Sequence, residues 1–289
     1  MILPFLILVF MFSYYPLYGW IYALYDYHPP LKLSQSEFAG LKWFIMLFGN
    51  PTQAKQLGQV MLNTFAISGL GILTSVFPLG FAVFLMEIPF KGFRKVVQTL
   101  TTLPNFISWV LVYSIAFALF SSSGAANHVL MDLNLIDAPI KFMDSDSHTW
   151  LKMCLWNVWK GLGWGAIMYL AAISGIDQTL YEAAKVDGAG RFQLIRHITL
   201  PGLLPTYFVL LMLSIANFLT NGIDQYYVFR NPFNLKYIQV LDLYVYLTGL
   251  GSSSISLATA VGVMKSIVSV TLLFIVNRIS KMTRGESIV

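Results

Sequence analysis

Three sets of polar and aromatic residues recur at helical spacing inside otherwise apolar stretches. Asn157, Lys160 and Trp164 follow at i, i+3 and i+7, with Gly161 beside them. Ser214, Asn217 and Asn221 repeat that interval, and Asp224 continues the row. Thr102, Asn105, Trp109 and Tyr113 recur at i, i+3, i+7 and i+11. On a helix each set falls on one face. Amides and an ammonium donate to hydroxyl-rich ligands, and indole faces cover the C–H surface of a sugar. Polar groups within an apolar span are costly and face a bundle interior or a water-filled path. The plainer reading is interhelical hydrogen bonding, which glues membrane bundles at about 0.6 kcal/mol per contact. That reading suffices for a single Ser or Thr. Asn157, Lys160, Asn217 and Asn221 together favour a ligand path.

No reaction chemistry is expected. A nucleophile–base pair cannot be picked out. His28, His128, His148 and His197 lack metal-ligand spacing. Asp132, Asp137, Asp144 and Asp146 lack the calcium-loop interval, so no metal is expected. The phosphate-binding pattern GxxxxGK[ST] is absent. Gly262-Val263-Met264-Lys265-Ser266 copies only its end, within an apolar run. ATP hydrolysis is therefore not expected of this chain. The lone Cys154 excludes an internal disulfide framework and reads as packing.

The elements that must carry these residues are membrane spans. The 289 residues are 57% hydrophobic and 11% charged, with a mean hydropathy of +0.68. Soluble domains carry about 25% charged residues, so an all-α polytopic membrane protein is expected. Spans of about 20 apolar residues fall near 2–25, 60–86, 96–120, 150–174, 203–221 and 255–277. The first lacks the basic leader and small-residue cleavage site of a signal peptide, so it reads as retained. Pro78 is expected to kink the second, and Pro104 interrupts the third.

Basic residues set the orientation. With the amino terminus inside, the cytoplasmic segments hold Lys91, Arg94, Lys95, Lys185, Arg191, Arg196, Arg278, Lys281 and Arg284. The longer external segments hold Lys32, Lys42, Lys55, Lys141, Arg230 and Lys236. The higher basic density of the short loops places both termini in the cytoplasm. The net charge of +5 is thus spread between spans and is no signature of nucleic-acid binding.

Glu182–Pro201, in the segment 177–201, is too charged for lipid. Asp177 can cap a helix over Gln178–Val186, and Ala183 and Ala184 would let a partner approach closely. Asp187-Gly188 signals a turn. Phe192, Ile195 and Ile198 then recur at helical spacing, and Pro201 is tolerated in the first turn of the next helix. From spacing alone, a solvated loop with two short helices is equally acceptable.

Glu182-Ala183-Ala184, Asp187-Gly188-Ala189 and Ile198-Thr199-Leu200-Pro201 resemble the coupling loop of ABC importer permeases, the binding-protein-dependent inner-membrane components. The resemblance covers nearly the whole chain. It implies the six-span type I permease fold in a bacterial inner membrane, with Glu182, Ala183, Ala184, Asp187, Gly188, Gly190, Ile198, Leu200 and Pro201 docking on an ATPase. Asn157, Gly161, Trp164, Ser214, Phe218 and Asn221 are similar in position to sugar-contacting residues of maltose-type permeases. Phe218 stands where those have an amide, and Lys160 also departs from them; it would favour an acidic sugar or donate to neutral hydroxyls.

Tyr15-Pro16-Leu17-Tyr18-Gly19, Ala171–Asp177 and the ending Arg284-Gly285-Glu286-Ser287 look like the oligosaccharide or polysaccharide branch. Implied partners are a second, different permease, two cytoplasmic ATPase subunits that hold ATP and Mg, and an external solute-binding protein. No cofactor is implied in this chain. Related permeases have a short basic segment before the first span, whereas Met1 opens almost directly on it, so the start is expected to be truncated or unusual. An amino acid, peptide or phosphate substrate, a passive channel, and an enzyme acting on lipid-linked sugar stand as alternatives.

Overall fold

The computed structural model describes residues 2–284. Met1 and the resemblance-bearing residues Gly285, Glu286 and Ser287 lie outside them. The chain is helical apart from a two-residue antiparallel pair, Tyr25–Asp26 with Glu37–Phe38. In chain order the helices are α1 Leu3–Leu24, α2 Lys42–Gly49, α3 Pro51–Thr74, α4 Val76–Glu87, α5 Lys91–Thr102, α6 Trp109–Phe120 and α7 Ala125–Asp132. They continue as α8 Thr149–Ser174, α9 Gln178–Val186, α10 Arg191–Ala216, α11 Asp224–Phe229, α12 Leu235–Ile238, α13 Leu241–Tyr246 and α14 Ile255–Arg284.

Local chemistry sets many of the boundaries. The Asn50 side chain accepts from the N–H groups of Thr52 and Gln53, and Pro51 opens α3 at a position that needs no donor. Pro78 has no N–H for the Thr74 carbonyl, and the long run Pro51–Glu87 breaks at Ser75, as the kink expectation required. Pro201 likewise leaves the His197 carbonyl without its usual donor. The turn Ile195–Thr199 is widened, with Leu200 N–H reaching back to the Ile195 carbonyl. The helix therefore runs unbroken from Arg191 to Ala216.

Five helical runs are long and apolar enough to cross a membrane: Leu3–Leu24, Pro51–Glu87, Trp109–Asp132, Arg191–Ala216 and Ile255–Met282. α8, at 26 residues, has the length, about 39 Å at 1.5 Å per residue. It carries Lys152, Asn157 and Lys160 and falls outside that apolar set. Its position explains its composition. α8 packs against α3, α4, α5 and α10 and contributes to two cores. One joins Val112, Met153, Tyr226, Phe229 and Leu243; the other joins Leu79, Ala82, Ala166, Tyr169 and Leu203. A third core, Leu47, Val60, Leu241, Tyr244 and Val261, ties α2, α3 and α13 to α14. Cys154 is buried within α8. α1, by contrast, buries Ala23 and leaves Phe5, Phe10 and Phe12 exposed, as suits a helix facing lipid or another subunit.

The interruption expected at Pro104 within the span 96–120 is a full break between two helices. Leu103–Phe106 is a tight turn, Ile107 and Ser108 are extended, and α6 starts afresh at Trp109 with Ser108 as its cap. The fifth segment is shifted from 203–221: its helix starts at Arg191 and stops at Ala216. The segment after it is tied down by buried Asn63, which donates to the Lys236 and Gln239 carbonyls at 2.8 and 3.0 Å and accepts from Trp150 Nε1 at 3.2 Å. Thr64 Oγ1 accepts from Leu241 N at 2.9 Å.

α5 and α8 cross closely at Gly163. A Cβ there would lie 2.4 Å from the Thr101 carbonyl atoms and 2.6 Å from Thr102 N, so a side chain must push backbone aside. Gly163→Val should cost about 1–3 kcal/mol and lower the unfolding temperature in detergent. Gly161→Ala on the same helix meets open space and should leave that temperature unchanged. A thermal scan of the purified variants, followed by size-exclusion chromatography, checks both.

Candidate substrate path and docking loop

The segment 177–201 folds as its sequence indicates at the cap, α9 and the turn. Asp177 Oδ1 accepts from Thr179 N at 2.9 Å, and this hydrogen bonding holds the Asp177 carboxyl below its ordinary value. α9 covers Gln178–Val186. Gly188 adopts φ +80°, a left-handed conformation that suits glycine. Its N–H bonds the Lys185 carbonyl, and Ala189 N–H bonds that of Ala184, closing the helix end. Gly190 N–H is then held by Gln193 Oε1 at 2.7 Å.

Two ends of the loop are pinned together by the Tyr181 hydroxyl and Thr199 Oγ1, 2.9 Å apart. Glu182, Ala183, Asp187 and Gly190 are exposed, and Ala184 is half-buried. Val186, at 88%, and Phe192, at 74%, project free apolar side chains on either side of the turn. Leu200 and Pro201 are exposed, and Ile198 is half-buried where α10 rises from the loop. Sequence spacing grouped Phe192 with Ile195 and Ile198; in the structure Phe192 is exposed while the other two are half-buried.

The three polar rows fare differently. Asn157, Lys160 and Trp164 do share α8, but Asn157 and Trp164 are exposed while Lys160 is buried. Lys160 Nζ donates to the carbonyls of Pro104 and Asn105 at 2.9 and 2.7 Å, capping the break between α5 and α6. Its ammonium also lies 5.5 Å from the Trp109 ring centre. Gly161 leaves open space beside it, and Trp164 meets Phe106 edge-on. The row Thr102, Asn105, Trp109 and Tyr113 is not one helical face, because the break separates its halves. Asn105 contributes its carbonyl, and Tyr113 packs on Phe229 in the core.

The row from Ser214 to Asp224 is broken too. Ser214 and Asn217 donate to carbonyls one turn back, at Leu210 and Leu213. Both side chains are exposed. Phe218 packs on Phe65. Asn221 lies beyond the helix end, and its Nδ2 donates to Ser68 Oγ at 2.8 Å. Asp224 opens α11.

Two residues unassigned at the sequence level hold this region. Asp242 Oδ2 accepts from Asn221 N and Gly222 N, both at 2.9 Å, and its Oδ1 pairs with Lys265 of α14. A lone lysine in the sixth apolar stretch and one of the two acids in the preceding segment were the available signal. They bound a cleft of about 780 Å³ with Trp20, Thr220 and Ser269. A second cleft, of about 690 Å³, opens beside Lys160.

The geometry comprises a helical bundle with largely apolar clefts, each holding one lysine and one aspartate, and an exposed loop fastened to one long helix. That is the construction of a membrane transport subunit. The chain belongs to the family of binding-protein-dependent transport system inner membrane components, which match residues 75–284. It is a multi-pass membrane permease of the ABC transporter class; the family is one of permeases, not of enzymes. Among relatives, it is 38% identical over 292 residues to the polygalacturonan/rhamnogalacturonan transport system permease protein YteP of Bacillus subtilis, covering 100% of this chain and 88% of YteP. It is 36% identical to protein LplB of the same organism, covering 97% and 87%. A solved bacterial ABC transporter that imports the acidic polysaccharide alginate contains a chain with a TM-score of 0.86 and 32% identity, covering 98% of this chain and 94% of that one. The same transporter, in complex with its alginate pentasaccharide-bound periplasmic protein, gives 0.87 and 31%, covering 99% and 94%.

Breaking the Asp242–Lys265 pair tests the architecture of this region. Asp242→Asn leaves a lysine ammonium without its ion-pair partner and should cost about 3–5 kcal/mol. Pairing it with Lys265→Met should recover most of that loss. Thermal unfolding of the two variants in one detergent reads the difference.

Proposed function

We propose that this chain is one of two different permease subunits of an ATP-driven importer, forming half of the path for an oligosaccharide or polysaccharide fragment. The observation that carries this reading is near-full-length similarity, above 30% identity, to YteP and to the alginate importer chain. An extracytoplasmic solute-binding protein delivers substrate, in keeping with the periplasmic partner of the alginate importer. Two cytoplasmic ATPase subunits hold ATP and Mg and drive the cycle. Both termini face the cytoplasm, on the distribution of basic residues.

In this reading Glu182, Ala183, Ala184, Asp187, Gly188, Gly190, Ile198, Leu200 and Pro201 form or support the surface that meets an ATPase. The exposed Val186 and Phe192 give that surface apolar anchors. Asn157, Gly161, Trp164, Ser214, Asn217, Phe218 and Asn221 contribute to the sugar path. ATP binding brings the ATPases together, and the bundle switches between inward and outward openings as rigid bodies.

Mild-detergent capture of the tagged chain, with mass spectrometry, should recover an ATPase, a second permease and a sugar-binding protein. Recovery of the chain alone, even after cross-linking, would overturn the importer reading. Gly188→Val places a β-branched residue at φ +80° with space around it, so the strain stays in the loop. Membrane levels should hold while substrate uptake and uptake-coupled ATP hydrolysis fall at least tenfold; normal uptake would remove the docking role.

A further inference from the structure

Lys160 carries a charge that the described residues do not pair. It is 8% exposed and sits within the bundle. Two of its three N–H groups go to the Pro104 and Asn105 carbonyls. Carbonyl oxygens satisfy hydrogen bonds but carry no net charge. The ion pairs among the described residues involve Asp26 and Asp242, and neither includes Lys160. A buried ammonium without a counter-charge is costly, and more so in a membrane protein. The side chain also lines the 690 Å³ cleft, whose size suits a small organic ligand.

The other walls of that cleft have a consistent chemistry. Trp109 lies beside the ammonium, and Tyr227 and Tyr246 meet edge-to-face at 5.5 Å. Ser108 adds a hydroxyl. Asp224, exposed at the start of α11, adds a carboxylate that can accept from sugar hydroxyls. Ring faces suit the C–H surface of a pyranose. One buried cation on a wall of aromatic, aliphatic and hydroxyl groups, with the Asp224 carboxylate exposed, suits a single carboxylate.

We propose that this cleft is a subsite for a uronate residue of the transported saccharide, with the Lys160 ammonium pairing its carboxylate and Trp109, Tyr227 and Tyr246 contacting its ring. It adds Ser108, Asp224, Tyr227 and Tyr246 to the path and makes charge a criterion of passage. The proposal rests on the saccharide-importer reading and narrows it to acidic substrates. Asp224 is a like charge facing the ligand and tempers its affinity.

The test uses the assembled importer in nanodiscs without its binding protein, so that the permeases alone choose. Equilibrium dialysis compares labelled trigalacturonate with its carboxyl-reduced, neutral counterpart. The wild type should bind the acidic sugar at least tenfold more tightly. Lys160→Gln should abolish that preference, and Lys160→Arg should keep it. Asp224→Asn, at an exposed position that does not threaten folding, keeps an acceptor oxygen but removes the like charge, and should tighten the acidic sugar several-fold relative to the neutral one. An unchanged preference in folded Lys160→Gln, or weaker acidic binding in Asp224→Asn, would overturn the subsite. Equal binding of both sugars by the wild type would also overturn it. Uptake with the binding protein present is read separately: saccharide uptake without this preference removes the subsite alone, and loss of all saccharide uptake in the wild type removes the importer reading.

Discussion

Inside an apolar bundle, a helix that stops must hand its carbonyls and N–H groups to some other donor or acceptor, because neither lipid nor a packed core supplies one. This chain stops helices repeatedly, and several of the stops have a buried or half-buried polar side chain assigned to them. Lys160 takes the carbonyls of Pro104 and Asn105. Asp242 takes the amides of Asn221 and Gly222. Asn63 takes the carbonyls of Lys236 and Gln239, and Asn127 takes those of Ser121 and Ile140. The remaining packing follows from these fixtures. α8 can be polar because it is the helix that supplies one of them, and α6 and α11 can be short because their ends are held.

Seen this way, polarity within the bundle has two uses. Lys160 serves both, holding a break with two donors and presenting its charge to a cleft. Asn63 and Asp242 are fully engaged by backbone and by neighbouring side chains. Ser214 and Asn217 bond to their own helix and keep capacity on their open sides. A polar residue in an apolar stretch therefore marks either a backbone repair or a ligand path, and its partners decide which.

The locally encoded parts were legible. α9 falls on Gln178–Val186 because its cap, its small residues and its Asp-Gly turn lie within a dozen positions of one another. The Pro78 kink and most apolar runs were legible for the same reason. Pro104 marked the interruption after Thr102 but not its extent, and the helix end at Ala216 was not legible, because the groups that make those ends tolerable, Lys160 and Asp242, lie far along the chain. Rows drawn through Asn105 and Asn221 assumed helix where none continues. The Asp242–Lys265 pair was invisible for a related reason: each residue alone reads as an anomaly, and the fold makes them a pair.

The unbroken course of α10 has a mechanical consequence. The rod is gripped near Leu203, which is fully buried against α4 and α8. Its lower arm reaches Thr199, where Tyr181 attaches the loop, about 6 Å away at 1.5 Å per residue. Its upper arm reaches Ala216, about 20 Å away on the same scale. Ile176 fills the space beside Gly202 and leaves little slack at the joint. Treated as a lever with its fulcrum at Leu203, the helix magnifies a sideways shift of Thr199 by up to about threefold at Ala216, less the bending that Pro205 in the upper arm absorbs. A small sideways displacement of the loop would thus arrive enlarged beside Asn217 and Asn221.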